Sequence, residues 1–562
     1  MTKSSKITFL CIFISWFLLS SNQKNWSRDQ IKADVVSYYS YLPAVFIDHD
    51  ITLNFLNHTE IPVKGRYWPL TTPEGHYIIK TSMGMSILYL PFFLIAHYIV
   101  GPLGGYECNG YTEAYQACLA VGCFIYLFIG LLFLRRTLLL FYSEKITLWV
   151  IISVYFGTNL LWYSYGEALM PHQFIFALVS LMMYFTIKWY EQATIKRTLT
   201  LGIICGLIIL VRPSDLPFCL FPLLYGKADK HYLAEKLNLI KTNWTKISLI
   251  LFVVFLIQIP QLLYWKMVTG QWLYNSYTGE RFYFNHPHIL EGFFGYRKGW
   301  LLYTPIMAFA IIGFFFIKNE AKKIVLGSLV ILPIFFFVVF CWWSWWYGGS
   351  FGMRPVIDLY AVFAIPMGAS YTFLMNRKWK KLITITLISF FILLNMLQIY
   401  QYNNFILHYE AMTKESYWYI FGKVEKPDHW WDKLRLTDPV RAMKGLPEEL
   451  SMEEISTGTF YLRNSENKLV ITDSAQNILI TENYGWDISE RFTFIPVSPG
   501  YVVIIATNGK YITIDEKNEM KANGDKKENA TIFQCTFKGD NKVELHSGNF
   551  NQPFRLYMAK PQ

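Results

Sequence analysis

Charge is what this chain has least of. Only 16% of its residues are Asp, Glu, Lys or Arg, against roughly 25% in soluble domains, while 53% are hydrophobic and 18% aromatic. That balance excludes an ordinary soluble domain and implies a membrane protein. Disulfide architecture is missing too. Of the eight cysteines, Cys11, Cys118, Cys123, Cys205, Cys219 and Cys341 fall in apolar segments, and only Cys108 and Cys535 in polar sequence. No disulfide framework follows from that distribution, and no Cys/His cluster has zinc spacing. The first apolar run, residues 7–19, leads into LLSSNQK without a small-x-small cleavage site, so it is expected to stay as a first helix. The two halves share no internal repeat, which argues against a transporter built from repeated bundles.

Long apolar runs are what the chain has in abundance. Beyond 7–19 they recur at about 114–134, 146–164, 169–187, 198–212, 247–268, 301–317, 322–343, 355–374 and 382–400, with a shorter one at 215–226 after the Arg212-Pro213 break; a span needs about 20 residues. The net charge of +11 is concentrated in alternate loops: Arg135, Arg136 and Lys145; Lys188, Lys196 and Arg197; Lys227 to Lys246; Lys318, Lys322 and Lys323; Arg377 to Lys381. Such loops face the cytoplasm. For all of them to do so, the apolar segment 84–100, interrupted by Pro91 and His97, must be an interfacial or juxtamembrane helix on the outer side. The expectation is about eleven transmembrane helices, with the chain after residue 401 outside.

This topology gathers the unusual polar residues on one side. The stretch 23–83 carries Asp34 just past the first helix, then Tyr38, Tyr39, Tyr41, Leu42 and Phe46, and closes with Lys80 in YIIKTSMG. Glu167 and His172 flank the start of a later helix, Arg212 stands at a proline break, Arg297 and Lys298 adjoin in the loop 269–300, and Arg354 follows CWWSWWYGGSFG. Charges at a membrane boundary are costly and mark functional cavities. Each has a plainer reading. Asp34 suits a helix N-cap, Lys80 snorkelling, Arg354 a pair with Asp358 one helical turn on, His172 a structural histidine, and the tryptophans an interfacial belt.

Residues 401–450 are polar and Trp-rich, read as a helical linker on the outer face. From 451 to 562 short alternating strands appear, among them FTFIPV, YVVIIA, KYITID, IFQCTF and KVELHS. Gly-aromatic units recur at Gly458/Tyr461, Gly509/Tyr511 and Gly548/Phe550, and Phe492/Phe494 is repeated about 40 residues on as Phe533/Phe537. A small all-β domain of repeated lobes is expected, similar to a fascin-like β-trefoil with a truncated third lobe.

The order of these features over roughly residues 7–400 resembles the GT-C-type membrane glycosyltransferases, nearest the protein O-mannosyltransferases and aminoarabinose transferases (family 39-like). The resemblance rests on Asp34 near the start of the first outer loop, Lys80 in YIIKTSMG, Glu167 in the second outer loop, LVRPSDL, and WWYGGSFGMRP. It implies a GT-C-like domain over 1–400, with residues 23–113 as a first outer loop bearing juxtamembrane helices, and the β-domain over 451–562. It implies an inverting transfer of a sugar from a polyprenyl-phosphate donor to a hydroxyl of a protein or a cell-envelope glycan or lipid, at the outer face of a bacterial inner membrane. Some relatives carry an acidic pair where this chain has Asp34-Val35, so a divalent metal and a non-catalytic role stay open, as does a flippase for lipid-linked saccharides. A phosphate leaving group needs cations, and an acceptor hydroxyl needs a base. Asp34 is the expected base, with Asp48 and Asp50 as rivals. Lys80, Arg354 and one of Arg297 or Lys298 are the expected phosphate ligands. Glu167, His172, Trp346 and Tyr347 are the expected acceptor or sugar contacts.

Overall fold

Prolines and glycines decide how far each apolar run continues as a helix. The computed structural model describes residues 1–27, 30–57, 66–428, 430–435, 437, 439–446, 459–463, 469–473, 478–482, 492–498, 501–506, 509–514, 520–537, 542–546 and 554–559. The chain divides into two compact units, Met1–Ile399 and Tyr400–Gln562.

Among the described residues, eight helices are long and apolar enough to cross a membrane: Lys3–Asn22, Gly84–Leu103, Glu113–Leu138, His172–Glu191, Tyr232–Thr269, Asn319–Phe340, Arg354–Leu374 and Lys378–Asn403. Four of the expected spans are not continuous helices of that length. In 146–164 the helix Glu144–Phe156 stops at Gly157 and resumes as Leu160–Tyr165. A β-carbon on Gly157 would stand 2.6 Å from Ile306 Cδ1, so the break lets a second segment press against the backbone. In 198–212 the helix Ile195–Val211 ends before Pro213, where Arg212 is forced into extended backbone. Residues 215–226 are a 3₁₀ stretch and one short turn, and 301–317 is cut by Pro305 into short pieces.

The first unit has two chemically different ends. The basic loops meet at one. Lys227 and Lys323 both pair with Glu320, at 3.2 and 2.6 Å. Arg135 Nη2 donates to both oxygens of Glu144 at 2.7 Å, and Thr2 Oγ1 donates to Glu144 Oε1 at 2.8 Å. A cavity of about 450 Å³ is walled there by Leu140, Tyr142, Phe316, Lys318, Glu320 and Phe373, among others. Helices that begin or end in these loops carry His172, Arg212, Trp342 and Arg354 at their opposite termini, the length of a span away.

Gly84–Leu103 packs antiparallel on Glu113–Leu138. The Leu88 carbonyl accepts from Tyr126 Oη at 3.0 Å, Phe92 lies against Gly122, and His97 Nδ1 is 2.6 Å from Tyr115 Oη. Two of these contacts, at Gly122 and Tyr115, fall on the half of Glu113–Leu138 remote from Arg135, and the third, at Tyr126, near its middle. Ahead of it, strands β1 (Pro69–Thr71) and β2 (Tyr77–Ile79) form an antiparallel hairpin in the register Pro69↔Ile79. Ile78 and Ile79 are buried with Tyr41, Leu53, Tyr67 and Tyr264, and the Ile79 N–H donates to Tyr264 Oη at 2.8 Å. That anchor fixes the residue after β2, which is Lys80.

In the second unit the helix Lys414–Ile420 opens with a capping box between Thr413 and Ser416, which satisfies its first free N–H groups. Ten strands follow: β3 (Thr459–Arg463), β4 (Leu469–Asp473), β5 (Ile478–Glu482), β6 (Phe492–Ser498), β7 (Tyr501–Ile505), β8 (Tyr511–Ile514), β9 (Met520–Gly524), β10 (Phe533–Phe537), β11 (Lys542–His546) and β12 (Phe554–Ala559). Their antiparallel pairs run β3–β6, β6–β7, β7–β10, β10–β11, β11–β12 and back from β12 to β3. Six strands therefore close a ring, with β4–β5 and β8–β9 as additional hairpins. Phe492, Phe494, Val502, Ile504, Ile512 and Phe533 are buried. Gly458, Gly548 and Phe550 of the repeat lie outside the described residues.

Candidate functional site

Asp34 starts the short helix Asp34–Tyr39, but it does not cap it. The cap position is Ala33, held at φ +49 and ψ −134 without a side-chain bond. A non-glycine residue there costs about 1–3 kcal/mol. The turn sends the Asp34 carboxylate to Arg354, whose Nη2 donates to Asp34 Oδ2 at 2.9 Å across 320 residues of sequence. The Asp34 side chain is 45% exposed and that of Arg354 13%. Arg354 Nε is buried and has no hydrogen-bond partner among the described residues. Arg354 opens a 3₁₀ turn, Arg354–Leu359. Before it, Gly352 takes φ +60 with Tyr303 and Asn159 close by, a backbone that a side chain would strain. Glu167 and Tyr163 both lie within electrostatic reach of Arg354.

The pair with Asp358 does not form, because in a 3₁₀ turn residues four apart point about 120° away from each other. Asp358 is instead fully buried with Arg212 and His172. Arg212 Nη1 donates to Asp358 Oδ2 at 2.8 Å, and His172 Nδ1 lies 3.1 Å from Asp358 Oδ1 and 3.0 Å from Arg212 Nη1. Asp215 Oδ2 is 4.0 Å from Arg212 Nε. Tyr38 stands between the two arginine clusters, in the fields of Arg212, Asp34, Arg354 and Asp215. Burial, the largest influence, pushes its phenol up to about 12 against the pull of Arg212. At neutral pH it is therefore a hydrogen-bond donor.

Lys80 joins from the β1–β2 hairpin. Its ammonium pairs with Glu280 Oε1 and lies 5.0 Å from the centre of the Tyr277 ring. Ser276 Oγ donates to the Lys80 carbonyl at 2.6 Å, and Trp343 Nε1 donates to Glu280 Oε2 at 3.0 Å. The first loop, the 269–300 loop and the tryptophan-rich loop thus meet at one carboxylate. Tyr277 also feels Tyr38, Arg212 and Asp34, which ties this group to the other two.

Asp34, Lys80, Glu167 and Arg354 are thus brought together, with His172 just behind. Tyr347, at φ +57, lies in the fields of Arg212 and Arg354, and its hydroxyl donates to the Val339 carbonyl at 3.0 Å. Arg297 and Lys298 lie against the tryptophan-rich loop. Arg297 stacks over Trp345 and Trp346, 5.9 and 5.4 Å from the ring centres, and buried Lys298 donates to the Ser350 carbonyl. Trp346 is itself buried. Of the rival bases, Asp48 accepts from Tyr67, and Asp50 accepts from Thr52 and the Phe55 N–H within its own turn.

Sequence reasoning overlooked Glu280, Asp215 and the Arg212–Asp358–His172 assembly. The signal present was two charges three residues apart in LVRPSDL, beside a proline break. Among the described residues no group of three His, Cys, Asp or Glu stands ready to hold a metal ion. What the arrangement offers is a half-exposed carboxylate with two guanidinium groups, one ammonium and a protonated phenol around it. Comparison with protein-family models, curated proteins and solved structures gives no match.

Proposed function

We propose that this chain is an inverting glycosyltransferase that moves a sugar from a polyprenyl-phosphate donor to an acceptor hydroxyl on a protein or a cell-envelope glycan or lipid. The observation that carries the reading is the convergence of Asp34, Arg354 and Lys80 at the helix ends remote from the basic loops. Asp34 takes the proton of the acceptor hydroxyl as its oxygen attacks the anomeric carbon. The bond from that carbon to the phosphate oxygen breaks, and its electron pair leaves with the polyprenyl phosphate. Arg354 and Lys80 balance the charge left there, and Tyr38 supplies a neutral donor. In this cycle the donor phosphate replaces Asp34 on Arg354 and Glu280 on Lys80, which frees the base as the donor arrives.

The basic end is the cytoplasmic one on this reading, and the site opens on the periplasmic side of a bacterial inner membrane. Gly84–Leu103, which starts against Leu210 and Val211 and whose His97 lies by Tyr115 near the start of Glu113–Leu138, is on this reading an outer-side helix that does not cross. About eleven segments carry the chain across, the four broken ones included. The closed ring with two hairpins supports the β-trefoil reading.

The test gives the purified protein, in lipid nanodiscs, a polyprenyl-phosphate sugar with and without acceptor extracts. Acceptor-dependent release of polyprenyl phosphate is expected. Neither release nor binding of any such donor would overturn the proposal. Impermeant maleimide should reach a cysteine placed at the exposed Gly349 from outside the membrane and miss one at Lys196; the opposite pattern would overturn the orientation.

A further inference from the structure

The helix Tyr232–Thr269 contains two segments of different character. Asn243, at φ −121 and ψ 20, breaks the helical path. The charge-free run suited to a bilayer, residues 247–265, lies wholly beyond that break. Before it, Leu233, Leu237 and Ile240 are all exposed, and Trp244 just past it is exposed as well. Spacings of four and three residues put the three aliphatic side chains in one stripe about 60° wide. Lys241 falls on one flank of the stripe and Lys236 on the other, with Lys230 just ahead and Glu235 the one acidic residue of the segment. Lys236 is tethered: its ammonium donates to Tyr190 Oη at 2.6 Å and to the Tyr225 carbonyl, and lies over the Tyr190 ring at 4.5 Å. The helix is thereby held along one side, at the basic end of the unit, with its apolar stripe turned outward.

We infer that residues 232–242 lie in the plane of the membrane surface, with the Leu233–Leu237–Ile240 stripe among the acyl chains and the exposed Lys230 and Lys241 among anionic lipid headgroups. Three exposed aliphatic side chains on one helix face need a cover, and the nearest is fixed by continuity. Trp244, a residue type that settles at the headgroup level, joins the segment to the run that enters the bilayer. Lys241 on the free flank and Lys230 just ahead of the helix match negative lipid and suit an interfacial helix, while Lys236 holds the other flank to the protein. The kink at Asn243 is the corner between lying on the membrane and crossing it, independently of what Asp34 does.

The test uses the full chain in nanodiscs of phosphatidylcholine alone or mixed with phosphatidylglycerol. A spin label on Leu237→Cys, with the native cysteines replaced by serine, should be reached by oxygen and shielded from an aqueous nickel chelate, and one on Thr242→Cys the reverse. Amide exchange of residues 232–242 in the unaltered protein should be slower with phosphatidylglycerol. Lys230→Gln with Lys241→Gln should remove that gain, by about fivefold per lysine. Equal nickel access at 237 and 242, or exchange indifferent to anionic lipid, would overturn the assignment. So would shielding that appears only on adding a second protein. If the cysteine variants fail to fold, the exchange measurement on the unaltered protein decides.

Discussion

Two arginines, each drawn to an aspartate far away in sequence, sit in opposite settings. At Arg212 the partner Asp358 has no exposed surface and is shared with His172. At Arg354 the partner Asp34 is nearly half exposed, and one guanidinium nitrogen is left without a bond. The first arrangement is closed and holds helix ends together. The second leaves a carboxylate facing outward and a cation with bonding capacity to spare. Each cluster keeps one buried polar atom without a hydrogen bond among the described residues, Asp215 Oδ2 in one and Arg354 Nε in the other; what sets the proposed site apart is the exposure of its carboxylate.

The sharpest way to break the comparison is to neutralise each carboxylate. Asp34→Asn should lower transfer by about 10²–10⁴-fold with a smaller change in the melting of the detergent-solubilised protein than Asp358→Ala gives, since Asp34 is nearly half exposed and asparagine keeps an oxygen that can accept from Arg354. Asp358→Ala should do the opposite in kind. It strands a buried guanidinium, a loss of about 3–5 kcal/mol, visible as a lowered denaturation midpoint before any kinetic effect is read. If Asp34→Asn unfolds the protein and Asp358→Ala leaves its midpoint unchanged, the two settings have been misjudged.

Smaller effects sharpen the same contrast. Lys80→Ala should weaken binding of polyprenyl phosphate about tenfold, the worth of one charge-assisted bond, whereas Glu280→Gln, which releases Lys80, should tighten it. Movement of both in one direction, in a titration by intrinsic fluorescence, would make the Lys80–Glu280 pair purely structural. The smallest effect belongs to Glu144 at the other end of the unit. Burial alone would raise its carboxyl, but Arg135, Ser5 and Thr2 win and bring it from 4.5 down to about 2. A lowered folded value means stability that is present above about pH 4.5 and lost as pH falls toward 2. Glu144→Gln should therefore melt earlier than the parent at neutral pH, the gap closing across that acid range.

Most of the helical unit was legible because hydropathy reports length directly: seven of the expected spans are continuous helices in the structure. The breaks at Gly157 and Pro305 were not, since a residue that interrupts hydrogen bonding barely changes the hydropathy of its window. At the site, the residue types were readable and the partners were not. Arg354 was weighed against Asp358 on α-helical spacing, but Pro355 starts a 3₁₀ turn there, and the arginine reaches Asp34 instead. Asp358 finds partners 146 and 186 residues away, a separation at which local pattern carries no information. The partners of Arg297 and Lys298 were equally hidden: the first lies over Trp345 and Trp346, and the second donates to the Ser350 carbonyl 52 residues on.

The ring of strands in the second unit has a consequence for how that unit can meet anything else. β3, the first strand, is held between β6 and β12, the last. Among the described residues every strand of the ring thus has a neighbour on both sides, which limits the row of unpaired N–H and C=O groups that another chain could extend. That arrangement disfavours recognition by strand addition to the ring and leaves side chains and hairpin tips as the surfaces a partner would meet. The same closure makes the two termini interdependent. A chain trimmed before β12 would bare β3 and β11 together, turning a self-contained ring into an open sheet with two adhesive edges.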